Sequence, residues 1–281
     1  MKLPSLQIPL VSLIALLIAS GAAPAQQLPS LSKAPWLGFF SGYVRRGFEF
    51  GVNNEGACEI HLIGKNKKRV GHTRVVKIYP EVIVENDQGK RYYKRLKEDE
   101  GFATTQKAGL EHEAVKFTAE STGDAKVEVS IKYDRDRIIF DGKILDRGKL
   151  TKGKIYFGFK VLMPAMYSPT YSDEKKAKAR MRKDKFRFVR AKDGKRVTLK
   201  TYEEVDLNDE KNTKDGVTAL EVDMDGQEGK KFLFKTEDGK GKFIVENRYR
   251  DKKGKLWKGY YVKWYRELGD ETTKPFVIEV K

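Results

Sequence analysis

The chain has 281 residues, with 57 Lys and Arg against 40 Asp and Glu, a formal charge of +17 and a single cysteine. That length suits one large all-β domain or two small ones. One cysteine excludes an internal disulfide, and no apolar stretch beyond the first 25 residues approaches the length of a membrane-spanning helix.

Residues 1–25 read as a secretory signal peptide. Lys2 supplies the positive start, Leu10 to Ala19 is an apolar run broken only by Ser12, and Ala23-Pro24-Ala25 places small residues at a cleavage site. The mature chain is expected to begin near Gln26, in the periplasm or outside the cell. Removing 25 of 281 residues leaves 256, and losing Lys2 lowers the charge to +16. Charges of both signs are interspersed, so the surface is heavily solvated with a basic surplus. Outside the cytoplasm, nucleic acid is not the expected partner of that surplus. Anionic polymers of the envelope are.

Period-two segments separated by turn residues follow. "GFEFGV" (47–52) leads into "ACEIHLI" (57–63), in which Cys58 shares a face with Ile60 and Leu62 and reads as a small buried residue. "RVGHTRVVKIY" (69–79), "EVIVEN" (81–86) and "RYYKRL" (91–96) come next. "LEHEAVKFTAE" (110–120), "AKVEVSIKY" (125–133), "RIIFDGKIL" (137–145) and "KIYFGFKVLM" (154–163) complete a first β half, 26–164. Residues 165–185 form an irregular crossing, in which "SDEKKAKARMRKDK" (172–185) predicts one short exposed helix. Ser172 is its N-cap, acids fill its first turn and bases its later turns. The second β half, 186–281, holds the remaining strands up to "FVIEVK".

Turns such as "DQGK", "KDGK" and "EDGKGK" put a glycine where a hairpin needs positive φ. Short hairpins join antiparallel neighbours, and no crossover helix separates the strands. About fifteen strands of this kind predict an antiparallel β-sandwich, with the two halves continuous in one domain.

The stretch "GKLWKGYYVKWYREL" (254–268) concentrates aromatic and basic residues. In a strand, Leu256, Val262, Trp264 and Leu268 share one face and are expected to line the core. Trp257, Tyr261, Lys263 and Tyr265 share the other, an aromatic-basic platform on which sugar rings stack and Lys263 meets an acidic group. The alternative is an aromatic ladder that only packs against its cross-strand neighbours.

Other chemistry is sparse. The histidines are His61, His72 and His112, with no H-x-x-x-H pair, no G-x-S-x-G elbow and no phosphate-binding glycine loop. No cofactor is expected. Asp223, Asp225 and Glu228 bring carboxylates close together at a turn but lack a calcium-loop pattern, so they are weak metal candidates.

Glu59-Ile60-His61 and Tyr261-Val262-Lys263 resemble two short strand motifs of the jelly-roll polysaccharide lyases. The resemblance spans about six residues, places Glu59 where that family carries a neutralising Gln, and has no counterpart of the family's arginine-rich motif. It implies His61, Tyr261 and Lys263 as acid–base candidates. Three expectations follow: a non-catalytic binder of neutral or anionic polysaccharide, a sandwich-type carbohydrate-active enzyme (lyase or epimerase), or a structural envelope protein.

Overall fold

A computed structural model describes residues 27–70, 75–164, 175, 179, 184–200, 216–223, 227–239, 243–247, 259–270 and 272–281. The described strands of the first part are β1 (Phe39–Arg45), β2 (Phe48–Asn53), β3 (Cys58–Leu62), β4 (Val76–Glu85) and β5 (Arg91–Arg95). They continue with β6 (Gly109–Leu110), β7 (Ala114–Glu120), β8 (Lys126–Asp134), β9 (Arg137–Asp146) and β10 (Lys154–Pro164). The later strands are β11 (Lys185–Arg190), β12 (Arg196–Lys200), β13 (Val217–Asp223) and β14 (Lys231–Thr236), then β15 (Phe243–Asn247), β16 (Gly259–Glu267) and β17 (Phe276–Val280). No helix among the described residues is long and apolar enough to cross a membrane.

The strands form an all-β sandwich. One layer runs β1-β2-β3-β4-β10-β16-β15, with β5 also on β4. The facing layer runs β7-β8-β9-β17-β14-β13-β11-β12. The Val217–Phe243 pair joins the layers at one side and the Leu96–Ser121 bridge joins them at another. Strands from before and after the crossing interleave, since β10 lies between β4 and β16 and β17 between β9 and β14.

The alternating sequences give alternating burial, as in β7, β8 and β14. Their inward residues merge into one cluster of buried side chains. At its centre, Phe159 and Trp264 from one layer meet Phe140, Phe276 and Phe234 from the other, with ring centroids 5.2–6.3 Å apart. Offset and edge contacts at that spacing add to area burial. Cys58 is fully buried beside Ile60 and Leu62, as its strand register requires.

Several local expectations are corrected. The segments 69–79 and 81–86 supply one strand, β4, which runs straight through Pro80. Up to Ile78 its outer edge pairs with β3, and from Glu81 onward with β5. Pro80, which has no N–H to give, falls at the change of partner. The segment 110–120 is split, because Glu111 takes a φ of 57° and ends β6. The pairing of β1 with β6 is parallel, against the expected all-antiparallel pattern. The segment before β6 lies along β7 through the Ala103–Thr118 bridge. There the Gln106 amide donates to the Ala114 carbonyl and accepts from Lys116 N–H, which delivers residues 109–110 beside β1. In the crossing, Lys175 and Ala179 are helical and exposed. The expected helix stops short of 185, since Asp184 is buried and Lys185 opens β11.

Candidate functional site

Strand β16 separates its two faces as its sequence predicts. Val262 and Trp264 are fully buried in the core, while Tyr261 and Tyr265 are half-buried on the outer face. Register then fixes what surrounds them. Lys263 pairs with Lys160 of β10, which pairs with Tyr79 of β4. Tyr261 pairs with Leu162, and Tyr265 with Gly158, which pairs with Glu81, which pairs with Arg95 of β5. Side chains at paired positions point to the same face, so the outer face of four strands carries this set.

Two lysines in adjacent strands repel unless something separates them. Lys160 Nζ lies 3.2 Å from Glu81 Oε2, and Glu81 is fully buried. Lys263 Nζ donates to the Tyr93 hydroxyl at 3.1 Å and sits 4.2 Å from that ring's centroid. The Tyr261 ring serves both cations, 5.8 Å from Lys160 Nζ and 5.6 Å from Lys263 Nζ. Tyr79 adds a second face for Lys160 at 5.5 Å. Cation–π contacts of this length compensate part of the hydration that the lysines lose. Lys263 is only 4% exposed, so it supports the tyrosines from below. It is not the solvent-facing cation that the sequence suggests.

Beside this network opens a cleft of about 360 Å³. Tyr79, Lys160, Leu162 and Tyr261 line it. Arg95, Glu55 and Glu98 also line it. Arg95 is exposed and makes no ion pair among the described residues. The lining therefore offers two phenol rings, one cation tied to a buried carboxylate, one untied guanidinium and two exposed carboxylates.

The other sequence candidates fall elsewhere. Trp257 and Asp225 lie outside the described residues, as does His72. His61 shares the outer face but not the cleft. Glu59 pairs with Lys77, Lys77 with Leu162 and Leu162 with Tyr261, which puts the strand of His61 three strands from β16. At the usual interstrand spacing that is about 14 Å. His61 Nε2 hydrogen-bonds Glu59 at 3.0 Å, and that bond, with Lys77 nearby, holds the Glu59 carboxyl below its usual range. Among the weak metal candidates, Asp223 is bound by Arg187 at 3.2 Å and Lys231 at 3.4 Å. Glu228 is exposed in the turn before β14. No group of three metal-binding side chains occurs among the described residues.

Arg95, Tyr79, Lys160, Glu81 and Tyr93 were not legible as a site from sequence. The available signal was Gly158, a glycine between Phe157 and Phe159 inside a strand, which marks close approach of another group. A side chain there would strike the Trp264 carbonyl and the Tyr265 ring. Fold and cleft together define an antiparallel β-sandwich with a tyrosine- and lysine-lined recess on one outer face. Compared with models of known protein families the chain matches none, and compared with curated proteins it has no significant match.

Proposed function

We propose that this chain is an exported protein of the envelope or extracellular space that binds carbohydrate without catalysis, and that the sugar lies in the cleft between Tyr79 and Tyr261. The observation that carries this reading is the pair of half-buried tyrosines flanking Lys160 in a concave site. Phenol rings offer flat apolar faces to sugar C–H groups and hydroxyls to their oxygens. With Lys160 tied to Glu81, Arg95 stands against Glu55 and Glu98, a set with no positive surplus that suits a hydroxyl-rich ligand with few charges. An acid–base enzyme of the lyase type would need His61 beside Tyr261, and its separation favours binding. Export is supported by the leader-like residues 1–25, and by the anchoring of the residues just after them. Leu28 is buried and its N–H bonds the Asn54 carbonyl, while Asn54 Nδ2 bonds Gln27 Oε1 at 2.6 Å.

The test is a glycan array followed by titration calorimetry on the mature chain. Tyr79→Ala and Tyr261→Ala should each weaken the best ligand by on the order of 1 kcal/mol, with little change in melting temperature for Tyr79→Ala. A chain that retains no glycan, or a double variant that binds as well as the parent, ends this reading.

A further inference from the structure

A second surface, apart from the cleft, gathers uncompensated charge. The β1–β2 turn carries Arg46, the loop after β3 carries Lys65, Lys67 and Lys68, and the turn before β14 carries Lys230. These three turns meet at one end of the sandwich. Ile63 N–H bonds the Gly47 carbonyl at 2.9 Å, tying the first turn to the second. Lys230 Nζ reaches so close to Gly47 that a Cβ there would lie 2.8 Å from it, and Glu228 packs against Gly64. Arg46, Lys65, Lys67 and Lys68 are exposed, Lys230 is half-buried, and none makes an ion pair among the described residues.

Neighbouring charges are largely spent. Arg45 is paired with Glu111 at 3.0 Å and Arg69 with Glu49 at 2.6 Å. The β8–β9 turn approaches the same end, with Tyr43 Oη donating to the Arg135 carbonyl, and it adds Arg135 and Asp136, which cancel. Among the described residues of the three turns, one unpaired acid, Glu228, stands against the five unpaired cations. Lys97, by contrast, is neutralised locally by Glu100, Glu120 and Asp124, whereas at the other end Lys126, Lys152 and Lys154 make no ion pair among the described residues.

We propose that this end of the sandwich docks on an anionic lipid surface. The charges are spread over three neighbouring turns, all but Lys230 exposed, so they can meet an array of phosphates together. Four of the five are lysines, compact point charges on flexible stems that suit headgroup phosphates without fixed geometry. Clusters of four to eight Lys and Arg are the size that anionic leaflets hold. The contact is electrostatic and non-inserting, so salt releases it.

Vesicle co-sedimentation of the mature chain tests this. It is expected to sediment with vesicles of equal phosphatidylglycerol and phosphatidylcholine, to stay in solution with phosphatidylcholine alone, and to be released as salt rises above about 0.1 M. The variant Lys65→Gln/Lys67→Gln/Lys68→Gln/Lys230→Gln is expected to lose binding about fivefold per charge removed. A control, Lys126→Gln/Lys149→Gln/Lys152→Gln/Lys154→Gln, removes the same charge at the opposite end and is expected to bind nearly as the parent. Melting curves of each variant check folding, and Lys65→Gln/Lys68→Gln serves alone if the fourfold variant does not fold. Equal losses from both fourfold variants would mean that overall charge, not this surface, does the binding, and would overturn the proposal. So would a chain that ignores anionic vesicles but binds a soluble sulfated polysaccharide through the same lysines.

Discussion

The Lys263 ammonium donates a hydrogen bond to the Tyr93 hydroxyl at 3.1 Å while lying 4.2 Å from the centroid of the same ring. The two residues are 170 positions apart in sequence. Their contact ties β16 to β5 across the outer face, and it turns a residue that reads as a ligand-facing charge into a structural one. Lys263→Met should therefore cost stability, about 1–2 kcal/mol from the lost cation–π and hydrogen-bond contributions. Tyr93→Phe should cost about 1 kcal/mol, because only the acceptor is lost. Urea denaturation of both variants measures this. A Lys263→Met midpoint equal to the parent's would show that the lysine is not holding the face together.

At Gly158 the outer face has no room for a side chain. Its neighbours there are the Trp264 carbonyl, which cannot rotate away, and the Tyr265 ring. Gly158→Ala should destabilise by about 1–3 kcal/mol, as overpacking does. It should also shift the tyrosine near-ultraviolet circular dichroism, because Tyr265 must leave the sheet surface. An unchanged melting temperature would contradict the close approach.

Stability should fall in acid over a definite window. The hydroxyls of Thr273 and Thr272 bond the Asp270 carboxylate and lower its pKa from 3.8 to about 2. The hydrogen bond with His61 lowers that of Glu59. A carboxylate whose folded pKa is depressed binds its proton more readily in the unfolded chain. Its contribution is complete above the unfolded value and disappears as pH falls through the folded one. The urea midpoint should thus drop as pH is lowered from about 4 towards about 2. Asp270→Asn should flatten the lowest part of that curve. A midpoint that rises through this window would reverse the sign of the argument.

Cys58 should be chemically silent in the native protein. It is fully buried in the first layer, and burial pushes its thiol pKa far above the ordinary value, so little thiolate forms. Maleimide labelling should be slow in buffer and rapid in denaturant. Stoichiometric native labelling would require the β3 region to open readily.

N-terminal sequencing of the exported protein should begin at or near Gln26. Recovery of intact Met1 from the cytoplasmic fraction would remove the export reading.

The sequence by itself determined the local alternation and the turns. Cys58, Ile60 and Leu62 point inward, and so do Val262 and Trp264, because a strand has no other way to place them. Gly89, Gly194 and Gly239 hold φ values of 75°, 65° and 69° in the turns where "DQG", "KDG" and "EDG" predict them. These are properties of neighbouring residues, and a period of two states them directly. Only the tertiary structure decided which strands lie side by side. The change of partner along β4 at Pro80 joins β3 and β5 to one edge. The pairing of β10 with both β4 and β16 brings Tyr79, Lys160 and Tyr261 into one cleft with Arg95. No local pattern encodes those pairings, because each depends on how buried faces from distant segments fit across a shared core. For the same reason, alternation could assign Lys263 to the outer face but not foresee the Tyr93 ring that covers it.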